Sequence, residues 1–523
     1  MTTPTPVTAI DVGSDGVKDH LVAPVVPVPD VVVARLRSVC AEVDTGAEAR
    51  QEAGRDWWPI AVRWAMAGET AARPVVVVRP TDAGQVAAVL EVCHDARVPV
   101  TPMAGRSGVC GASVPVFGGV ALDLCGLGGV TDIDDTSLVT RVGAGTFGPD
   151  LEATLGARQL TVGHWPQSMA LSTVGGWVAC RGAGQYSTRY GKIEDMVAGL
   201  EVVLADGRRL TTGGAGPRAA MGPDLTQLLL GSEGTLGVVT AVDLRMHPAA
   251  PASDRRAFVF PDFASGLDAC RLALRRGATP AVLRLYDEVE SARSFDVGGR
   301  CLLVVLDEAD EALLEATIST VVRAAEAAGG EAADPALVGR WLEHRNDVSA
   351  LAPLYRAGIV VDTVEVAGRW AVLPRLYDRC RRALVEVAGT MVASAHQSHA
   401  YTDGACLYFT FAGRPDPPAE IDDRWAERYY AGAWDAVMAE VTAAGAALSH
   451  HHGIGLNRAR FMEGAPGTDS SLLQALKDAL DPRGILNPGK LGLRSPFGEV
   501  LWPPPEAAPP TEDRTWPPPE AAS

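Results

Sequence analysis

The segment from Gly163 to Gly207 constrains the fold most, because its glycines occur among small residues and hydroxyl side chains. Glycine lets the backbone approach a ligand closely and permits positive φ angles. The run GLEVVLADGRRL that follows predicts a strand, a turn at Asp206 and Gly207, and a return strand. The segment therefore predicts either a backbone built to bind a ligand or a glycine-rich sheet with tight turns. The glycines and hydroxyl residues concerned are Gly175, Gly176, Gly182, Gly184, Ser168, Ser172 and Thr173.

Length, charge and cysteine usage limit the class of protein. A chain of 523 residues has room for about two or three domains, since single cores rarely exceed about 250–300 residues. The formal net charge of −18 argues against a nucleic-acid partner, which would need a basic surface. The nine cysteines form no CxxC pair, which favours reduced thiols and a cytoplasmic location. Neither a signal peptide nor an apolar run long enough to span a membrane is evident.

Residues 74–108 predict a strand, a helix, a second strand and a glycine-rich loop. Asp82 is the expected N-cap of the helix, and an apolar stripe at helical spacing is expected to be buried. Asp30 is the expected cap of an earlier helix. The loop Met103–Gly108 follows the second strand, where exposed N–H groups can form a pyrophosphate nest, although a structural turn has the same sequence pattern. The stripe comprises Val86, Val89, Leu90 and Cys93.

Three motifs together resemble the flavin domain of the vanillyl-alcohol-oxidase type of FAD enzyme. They are PVTPMAGRSGVCGA, STVGGWVACRGAGQYSTRYGKIEDMV and GSEGTLGVVTAVDLRMHP. They occur in that family's order, and weaker similarity extends from about Ala72 to Leu491. Within the superfamily the chain is most similar to the alkyldihydroxyacetonephosphate synthases.

The resemblance and the chain pattern together imply an α+β fold. We expect a PCMH-type FAD-binding domain of two subdomains, an α/β cap domain with an antiparallel sheet, and a C-terminal helical segment. The proposed boundaries are a disordered arm over 1–28, a helical segment over 29–70, the FAD-binding domain over 71–252, the cap over 253–445, a segment returning to the flavin over 446–492, and a disordered Pro-rich tail over 493–523. The tail contains WPPPEAA twice, and such a proline density cannot build a core.

The resemblance also implies the FAD-contacting residues. Neither covalent-linkage motif of the superfamily is matched, so FAD is expected to be bound noncovalently. The residues that the resemblance assigns to FAD are Met103, Ala104, Gly105, Arg106, Ser107, Gly108, Gln167, Ser168, Ser172, Thr173, Gly176, Cys180, Arg181, Gly182, Ala183, Glu233, Gly234, Thr235, Leu236, Gly237, Val238 and Val239.

The run HHHGIG at 450–455 resembles the histidine triplet of the synthases, and Tyr408 in CLYFTF matches their catalytic tyrosine. Three adjacent histidines cannot all face one metal, and histidines that only satisfy local hydrogen bonds are the alternative. The D-2-hydroxy-acid dehydrogenases of the superfamily carry a metal-binding HxGDGNxH and a GEHGIG instead. Here Leu407 and Tyr408 replace the second histidine and His451 replaces the glutamate, so no metal is expected. The catalytic assignments from the triplet are His450, His451 and His452.

Arg284, Arg356 and His164 complete the set implied by the resemblance. Arg284 and His164 match catalytic positions, and Arg356 matches a substrate-contacting arginine, although each arginine could also be a surface charge. A guanidinium offers bidentate donors to a phosphate or carboxylate. The implied reaction exchanges the acyl chain of acyl-dihydroxyacetone phosphate for a long-chain alcohol. Oxidation of a 2-hydroxy acid or alcohol is the alternative. The expected partners are a small-molecule or lipid substrate, a peripheral contact with a membrane and a second copy in a homodimer.

Overall fold

In a computed structural model of the protein, which describes residues 16–17, 20–347, 351–415 and 423–505, most strands belong to three sheets. The strands are β1 (Gly16–Val17), β2 (Val43–Asp44), β3 (Glu69–Thr70), β4 (Val76–Val78), β5 (Val100–Met103), β6 (Val120–Asp123), β7 (Val130–Asp134), β8 (Val139–Gly143), β9 (Leu160–Thr161), β10 (Val197–Val203), β11 (Arg209–Gly213), β12 (Val238–Arg245), β13 (His247–Pro248), β14 (Ala252–Phe260), β15 (Val282–Tyr286), β16 (Cys301–Ala309), β17 (Glu331–Ala333), β18 (Val360–Arg369), β19 (Thr390–Ala400) and β20 (Gly404–Gly413).

The helices flank these sheets. They are α1 (Asp30–Val39), α2 (Ala47–Glu52), α3 (Pro59–Met66), α4 (Ala83–Ala96), α5 (Gly148–Gly156), α6 (Val174–Cys180), α7 (Ser187–Tyr190), α8 (Ile193–Met196), α9 (Leu225–Leu229), α10 (Phe263–Arg275), α11 (Glu288–Phe295), α12 (Glu311–Ala327), α13 (Ala336–His344), α14 (Leu351–Arg356), α15 (Leu373–Glu386), α16 (Asp423–Ala443) and α17 (Ser470–Leu480). Within the described part of the chain, no helix combines the length and apolarity needed to cross a membrane.

The first sheet has the order β2-β4-β6-β5, with β4 and β5 parallel to β6. Helix α4 connects β4 to β5, and Asp82 caps it by accepting the N–H of Gln85. The predicted stripe of α4 is fully buried. Asp30 is the first residue of α1 rather than its cap, and the N-cap position belongs to Pro29, whose side chain cannot accept a hydrogen bond. The C-terminal segment returns to this sheet, because Val100 donates its N–H to the carbonyl of Ile485.

The second sheet has the order β11-β10-β12-β8-β7 and is antiparallel. The predicted hairpin between β10 and β11 is confirmed: Leu204 donates its N–H to the Arg208 carbonyl, 2.9 Å away. Gly207 has a φ of 82°, which favours glycine at this turn.

The third sheet is antiparallel and has the order β17-β14-β16-β15-β19-β20-β18. Alternate side chains of its strands enter different cores, as the two-residue period of a strand requires. Leu303 and Val305 pack in a core with α10, α12 and α15, whereas Leu302 and Val304 pack with residues of the second sheet. The predicted combination of two smaller sheets with an antiparallel cap sheet is therefore confirmed.

The expectation of disordered ends is wrong for residues 20–28 and 493–505. His20 is 4% exposed and stacks on Trp64, and Val22 pairs with Leu501. Trp502, the first residue of the first heptapeptide, is 7% exposed and packs edge-on against Trp58. Burial of these aromatic and apolar groups stabilises both ends despite their proline content. Residues 1–15 and 506–523 lie outside the described residues.

Candidate active site

The three glycine-rich loops meet where the first and second sheets adjoin. A Cβ added to Gly105 would lie 2.0 Å from the carbonyl oxygen of Leu171, in the second loop. The third loop joins them because Glu233 donates its backbone N–H to the carbonyl of Ala179. A Cβ added to Gly234 would lie 3.0 Å from the Pro102 ring. Glycine is therefore needed for the close approach of these loops.

The loop after β5 fits the phosphates of FAD. The backbone N–H groups of Gly105, Arg106 and Ser107 donate to no atom of the described residues. Arg106 has a φ of 52°, and successive N–H groups around such a residue form an anion-binding nest. The Arg106 guanidinium donates to Glu52, so the backbone, rather than this side chain, is free to bind an anion.

The other residues predicted to bind FAD lie around this junction with different side-chain roles. Thr173 caps α6 by accepting the N–H of Gly176, and the Ser172 hydroxyl accepts from the Trp177 indole. Arg181 ends α6 with a left-handed φ of 55°, and its guanidinium pairs with Glu194. Gln167 is exposed. Met103, Thr235, Leu236 and Val238 are buried in the supporting core.

His164 is a second sign of a ligand beside the glycine loops. It is fully buried, and neither ring nitrogen has a hydrogen-bond partner among the described residues. Burial lowers the pKa of His164 to about 3, so the ring is neutral and offers one donor and one acceptor. A Cβ added to Gly182 would lie 3.7 Å from its Nε2. A ligand held by the glycine loops would supply the missing partner.

Glu233 connects the glycine loops to the histidine triplet. Its carboxylate accepts the N–H groups of Ile454 and Gly455 at 2.6 and 2.8 Å. A Cβ added to Gly453 would lie 2.4 Å from the same carboxylate, and Gly453 has a φ of 78°. The Glu233 side chain thus positions the loop that follows His452, beyond the cofactor role predicted from the sequence.

Tyr408 lies at the centre of the site. Its hydroxyl is 2.7 Å from His451 Nε2 and 3.0 Å from His452 Nε2. Burial, followed by the nearby Cys406 and Glu365, holds the pKa of Tyr408 well above its ordinary value, so the phenol is protonated. It can donate to one histidine and accept an N–H from the other.

The histidines are neutral and linked to one another. His451 Nδ1 lies 2.9 Å from His450 Nδ1, which requires one of the two nitrogens to be protonated and the other to accept. Burial lowers the pKa of His450 and of His451 to about 3, and that of His452 to about 4. Tyr408, His451 and His450 therefore form a hydrogen-bonded chain able to pass a proton.

Glu365, on β18, holds the backbone of the histidine triplet in place. Its buried carboxylate accepts from the Ser449 hydroxyl and from the backbone N–H groups of His450 and His452. The buried guanidinium of Arg458 lies 3.0 Å away. Burial would raise the pKa of Glu365, but Arg458 and then the histidines hold it well below its ordinary value.

Arg284 is held by His396, a histidine outside the triplet. Its Nη2 donates to His396 Nε2 at 2.6 Å, and His396 Nδ1 lies 2.7 Å from Glu290. The His396 ring stacks on Tyr408 with 4.8 Å between centroids. The predicted catalytic residues Arg284 and Tyr408 therefore belong to one cluster with the triplet.

Arg356 is not part of this cluster. It is exposed at the end of α14, a helix that packs through Tyr355 and Ala352 against Val62 and Val361. A different arginine, Arg345, has a buried Nη1 without a partner among the described residues. The substrate contact predicted for Arg356 therefore receives no support from its position.

Two histidines of the triplet and two neighbouring side chains form a group of possible metal ligands. Glu365, Cys406, His450 and His451 place ligand atoms within 4.8 Å of one another. However, Arg458 already pairs with Glu365, and burial raises the pKa of the Cys406 thiol well above its ordinary value. A protonated thiol and a carboxylate paired with a guanidinium are poor ligands, so the absence of a metal stays a prediction.

Sequence reasoning missed Glu365, Arg458, Glu290 and His396. Glu365 and Arg284 each interrupt an apolar strand, in TVEV and VLRL, while their strand neighbours Val364, Leu283 and Leu285 are buried in a core. A single charged side chain at such a position faces the opposite side of the sheet. This pattern was the available signal for Glu365, and it also marks Arg284, which the resemblance had already assigned.

Comparison with known proteins identifies two domain families in the chain. Residues 74–213 match the FAD binding domain, and residues 251–491 match the C-terminal domain of FAD linked oxidases. The chain is 30% identical over 437 residues to the uncharacterized FAD-linked oxidoreductase YgcU of Escherichia coli K12, covering 80% of this chain and 89% of YgcU.

Two further relatives have names that point to different reactions. Alkyldihydroxyacetonephosphate synthase of Dictyostelium discoideum is 28% identical over 462 residues, covering 81% of this chain and 74% of the relative. Glycolate oxidase subunit GlcD of Bacillus subtilis is 27% identical over 438 residues, covering 80% and 89%.

Solved structures share the fold. An alkyldihydroxyacetonephosphate synthase superposes with a TM-score of 0.74 at 24% identity, covering 92% of this chain and 90% of that one. p-Cresol methylhydroxylase superposes with a TM-score of 0.72 at 18% identity, covering 89% and 97%. The predicted PCMH-type fold and the FAD cofactor are thus confirmed, and the chain belongs to the family of FAD-linked oxidoreductases that includes the alkyldihydroxyacetonephosphate synthases.

Proposed function

We propose that this enzyme forms an ether bond as the alkyldihydroxyacetonephosphate synthases do, exchanging the acyl chain of an acyl-dihydroxyacetone phosphate for a long-chain alcohol. The exchange replaces the ester C–O bond at the reacting carbon by a C–O bond to the alcohol, and a fatty acid leaves without net redox change. The main support for this proposal is the position of the Tyr408 hydroxyl, which lies within hydrogen-bond distance of both His451 and His452.

The residues around Tyr408 support proton transfer. FAD, when bound by the glycine loops, supplies an electron-accepting ring beside them. The neutral phenol can release a proton toward His451, whose ring is neutral and connected to His450. Positioned proton donors and acceptors of this kind typically contribute about 10²–10⁴-fold to a rate. Glu365 keeps the triplet in place through its contacts with the backbone.

The test compares turnover in two tyrosine variants. Tyr408→Phe should retain FAD but lose turnover of palmitoyl-dihydroxyacetone phosphate with hexadecanol by about 10²-fold or more. Tyr429→Phe is the control, because Tyr429 lies on α16 and contacts Thr390 instead of the triplet. The assay includes lipid vesicles, since the alcohol must be delivered from a membrane. Wild-type-like turnover in Tyr408→Phe would remove the basis of the proposal.

The second candidate is oxidation of a 2-hydroxy acid. It is favoured by the similarity to a glycolate oxidase subunit. Anaerobic mixing with glycolate or D-lactate distinguishes the two candidates. Bleaching of the flavin absorbance, together with about one metal ion per chain in elemental analysis, would favour the oxidase.

A further inference from the structure

The Nε of Arg284 is a buried donor without a hydrogen-bond partner in the described part of the chain. The Nη2 of the same side chain donates to His396. Buried polar groups are normally paired, and an unpaired donor of a charged group is especially unfavourable. His396, which accepts from Arg284, stacks on the Tyr408 ring with 4.8 Å between centroids, so the guanidinium lies one side chain away from Tyr408. A ligand beside Tyr408 could therefore accept the Arg284 Nε–H.

The contact with Arg284 fixes the tautomer of His396. A guanidinium can only donate, so the His396 Nε2 that faces it at 2.6 Å must carry the lone pair. The ring proton then resides on Nδ1 and is donated to Glu290 Oε2, 2.7 Å away. Burial, and then the charge of Arg284, lowers the pKa of His396, which agrees with a neutral ring.

Glu290 is held firmly as the acceptor. It is 3% exposed on α11, and its other oxygen accepts from the Ser394 and Thr410 hydroxyls at 3.1 and 2.8 Å. Burial would raise the pKa of Glu290, but its hydrogen bond with His396 and the nearby Arg293 guanidinium hold it below its ordinary value. The carboxylate is thus ionised and cannot donate to His396.

The His396–Glu290 pair lies directly beside Tyr408. His396 and Tyr408 are cross-strand partners on β19 and β20, and their rings stack at an interplanar angle of 13°. If the His396 ring turned, it would change both the position of the Arg284 guanidinium and the surface next to Tyr408.

We propose that Glu290, acting through His396, is a positioning residue that holds Arg284 ready to bind an anionic group of the substrate next to Tyr408. The ligand class is a phosphate or carboxylate, because a guanidinium binds both through paired N–H groups. Here we build on the function proposed above, which requires a phosphate-bearing substrate, while the second candidate requires a carboxylate.

Glu290→Gln tests the relay with little change in size. A glutamine can turn its amide N–H₂ toward His396 Nδ1, which would move the ring proton to Nε2. That nitrogen would then face the Arg284 donor, so Arg284 would have to move. Binding of inorganic phosphate and of D-lactate to the purified FAD-bound protein is measured by calorimetry and by flavin difference spectra.

Glu288→Gln is the matched control, because Glu288 lies on the same helix and pairs with Arg381 instead. We expect Glu290→Gln and Arg284→Gln each to weaken binding of the preferred anion by about 10-fold or more, the effect of one charged hydrogen bond. Glu288→Gln should remain within about 2-fold. In the Arg284→Gln background, Glu290→Gln should have no further effect on the dissociation constant, whereas an independent structural effect would add.

Three results would overturn the proposal: no binding of either anion to the wild-type protein, unchanged binding in Glu290→Gln, or additive losses in the double variant. Preference for phosphate or for D-lactate supports the proposal in either case and identifies the anion. Binding does not depend on turnover, so a protein that binds phosphate through Arg284 but fails to form ethers would refute the proposed reaction alone.

Discussion

Replacing Glu365 by glutamine should both destabilise the protein and disorganise the histidine triplet. The Glu365 carboxylate is fully buried and accepts four donors: the Ser449 hydroxyl at 2.6 Å, His450 N–H at 2.5 Å, His452 N–H at 3.0 Å and Arg458 Nη1 at 3.0 Å. Glutamine has one oxygen acceptor, so some of these donors would face an N–H₂ group.

The expected loss of unfolding free energy follows from these contacts. Removing one partner of a buried ion pair costs about 3–5 kcal/mol, because the other charge stays buried. The Arg458 guanidinium would lose the negative charge beside it and keep neutral contacts such as the Leu448 carbonyl and the face of the Trp434 ring. Each backbone donor left unsatisfied would add about 1–3 kcal/mol. We therefore expect a loss of at least about 4 kcal/mol, a large part of the roughly 5–15 kcal/mol that stabilises a typical domain.

The assay is urea unfolding followed by tryptophan fluorescence, with FAD content measured from absorbance. Asp435→Asn is the control, since the Arg460–Asp435 pair has a similar distance of 2.8 Å but a 57% exposed carboxylate. An exposed pair contributes only about 0–1 kcal/mol. If Glu365→Gln does not fold, Ser449→Ala removes a single donor to Glu365 and should cost about 1 kcal/mol. Equal losses in Glu365→Gln and Asp435→Asn would refute the reasoning.

Three further predictions concern backbone geometry, pH and the C-terminal tail. Gly453→Ala should lose FAD or turnover and be about 1–3 kcal/mol less stable than Gly445→Ala, because both glycines have positive φ but only a Cβ at 453 meets the Glu233 carboxylate; equal unfolding free energies would contradict this. His164 is buried and neutral, with a pKa lowered to about 3. Below about pH 6.5 the unfolded state therefore binds more protons than the folded state, and the free energy of unfolding decreases as the pH is lowered. His164→Gln should remove about 0.3 kcal/mol of this dependence between pH 7.5 and 6.5 and about 1 kcal/mol between pH 6.5 and 5.5 in urea titrations, and an unchanged slope would be inconsistent with a neutral ring. Trp502→Ala should cost about 3–5 kcal/mol of unfolding free energy, because Trp502 packs on Trp58 and donates to Asn457; a loss below about 1 kcal/mol would count against this packing.

Local sequence patterns predicted the elements that depend on local physics. The cap at Asp82, the buried stripe of α4 and the Asp206–Gly207 turn are found as expected, because capping, helical periodicity and turn geometry involve residues close in the chain. The motifs also predicted the FAD-binding fold and its glycine loops. The prediction of disorder was wrong for residues 20–28 and 493–505, because His20 and Trp502 are ordered by contacts with residues far away in sequence.

The sequence by itself determined the cofactor, the fold and the central pair of Tyr408 with the histidine triplet, since these are carried by contiguous motifs. Only the tertiary structure decided how they are supported. Glu365 lies 85 residues from His450 in the chain, Glu290 lies 106 residues from His396, and Glu233 lies 221 residues from Ile454. The pairing of β18, β19 and β20 sets Glu365, His396 and Tyr408 beside one another, and strand alternation turns them to the same face of the sheet. Arg356 lies outside the Tyr408 cluster for the same physical reason, because its place on α14, and not its local sequence, fixes what its side chain can reach.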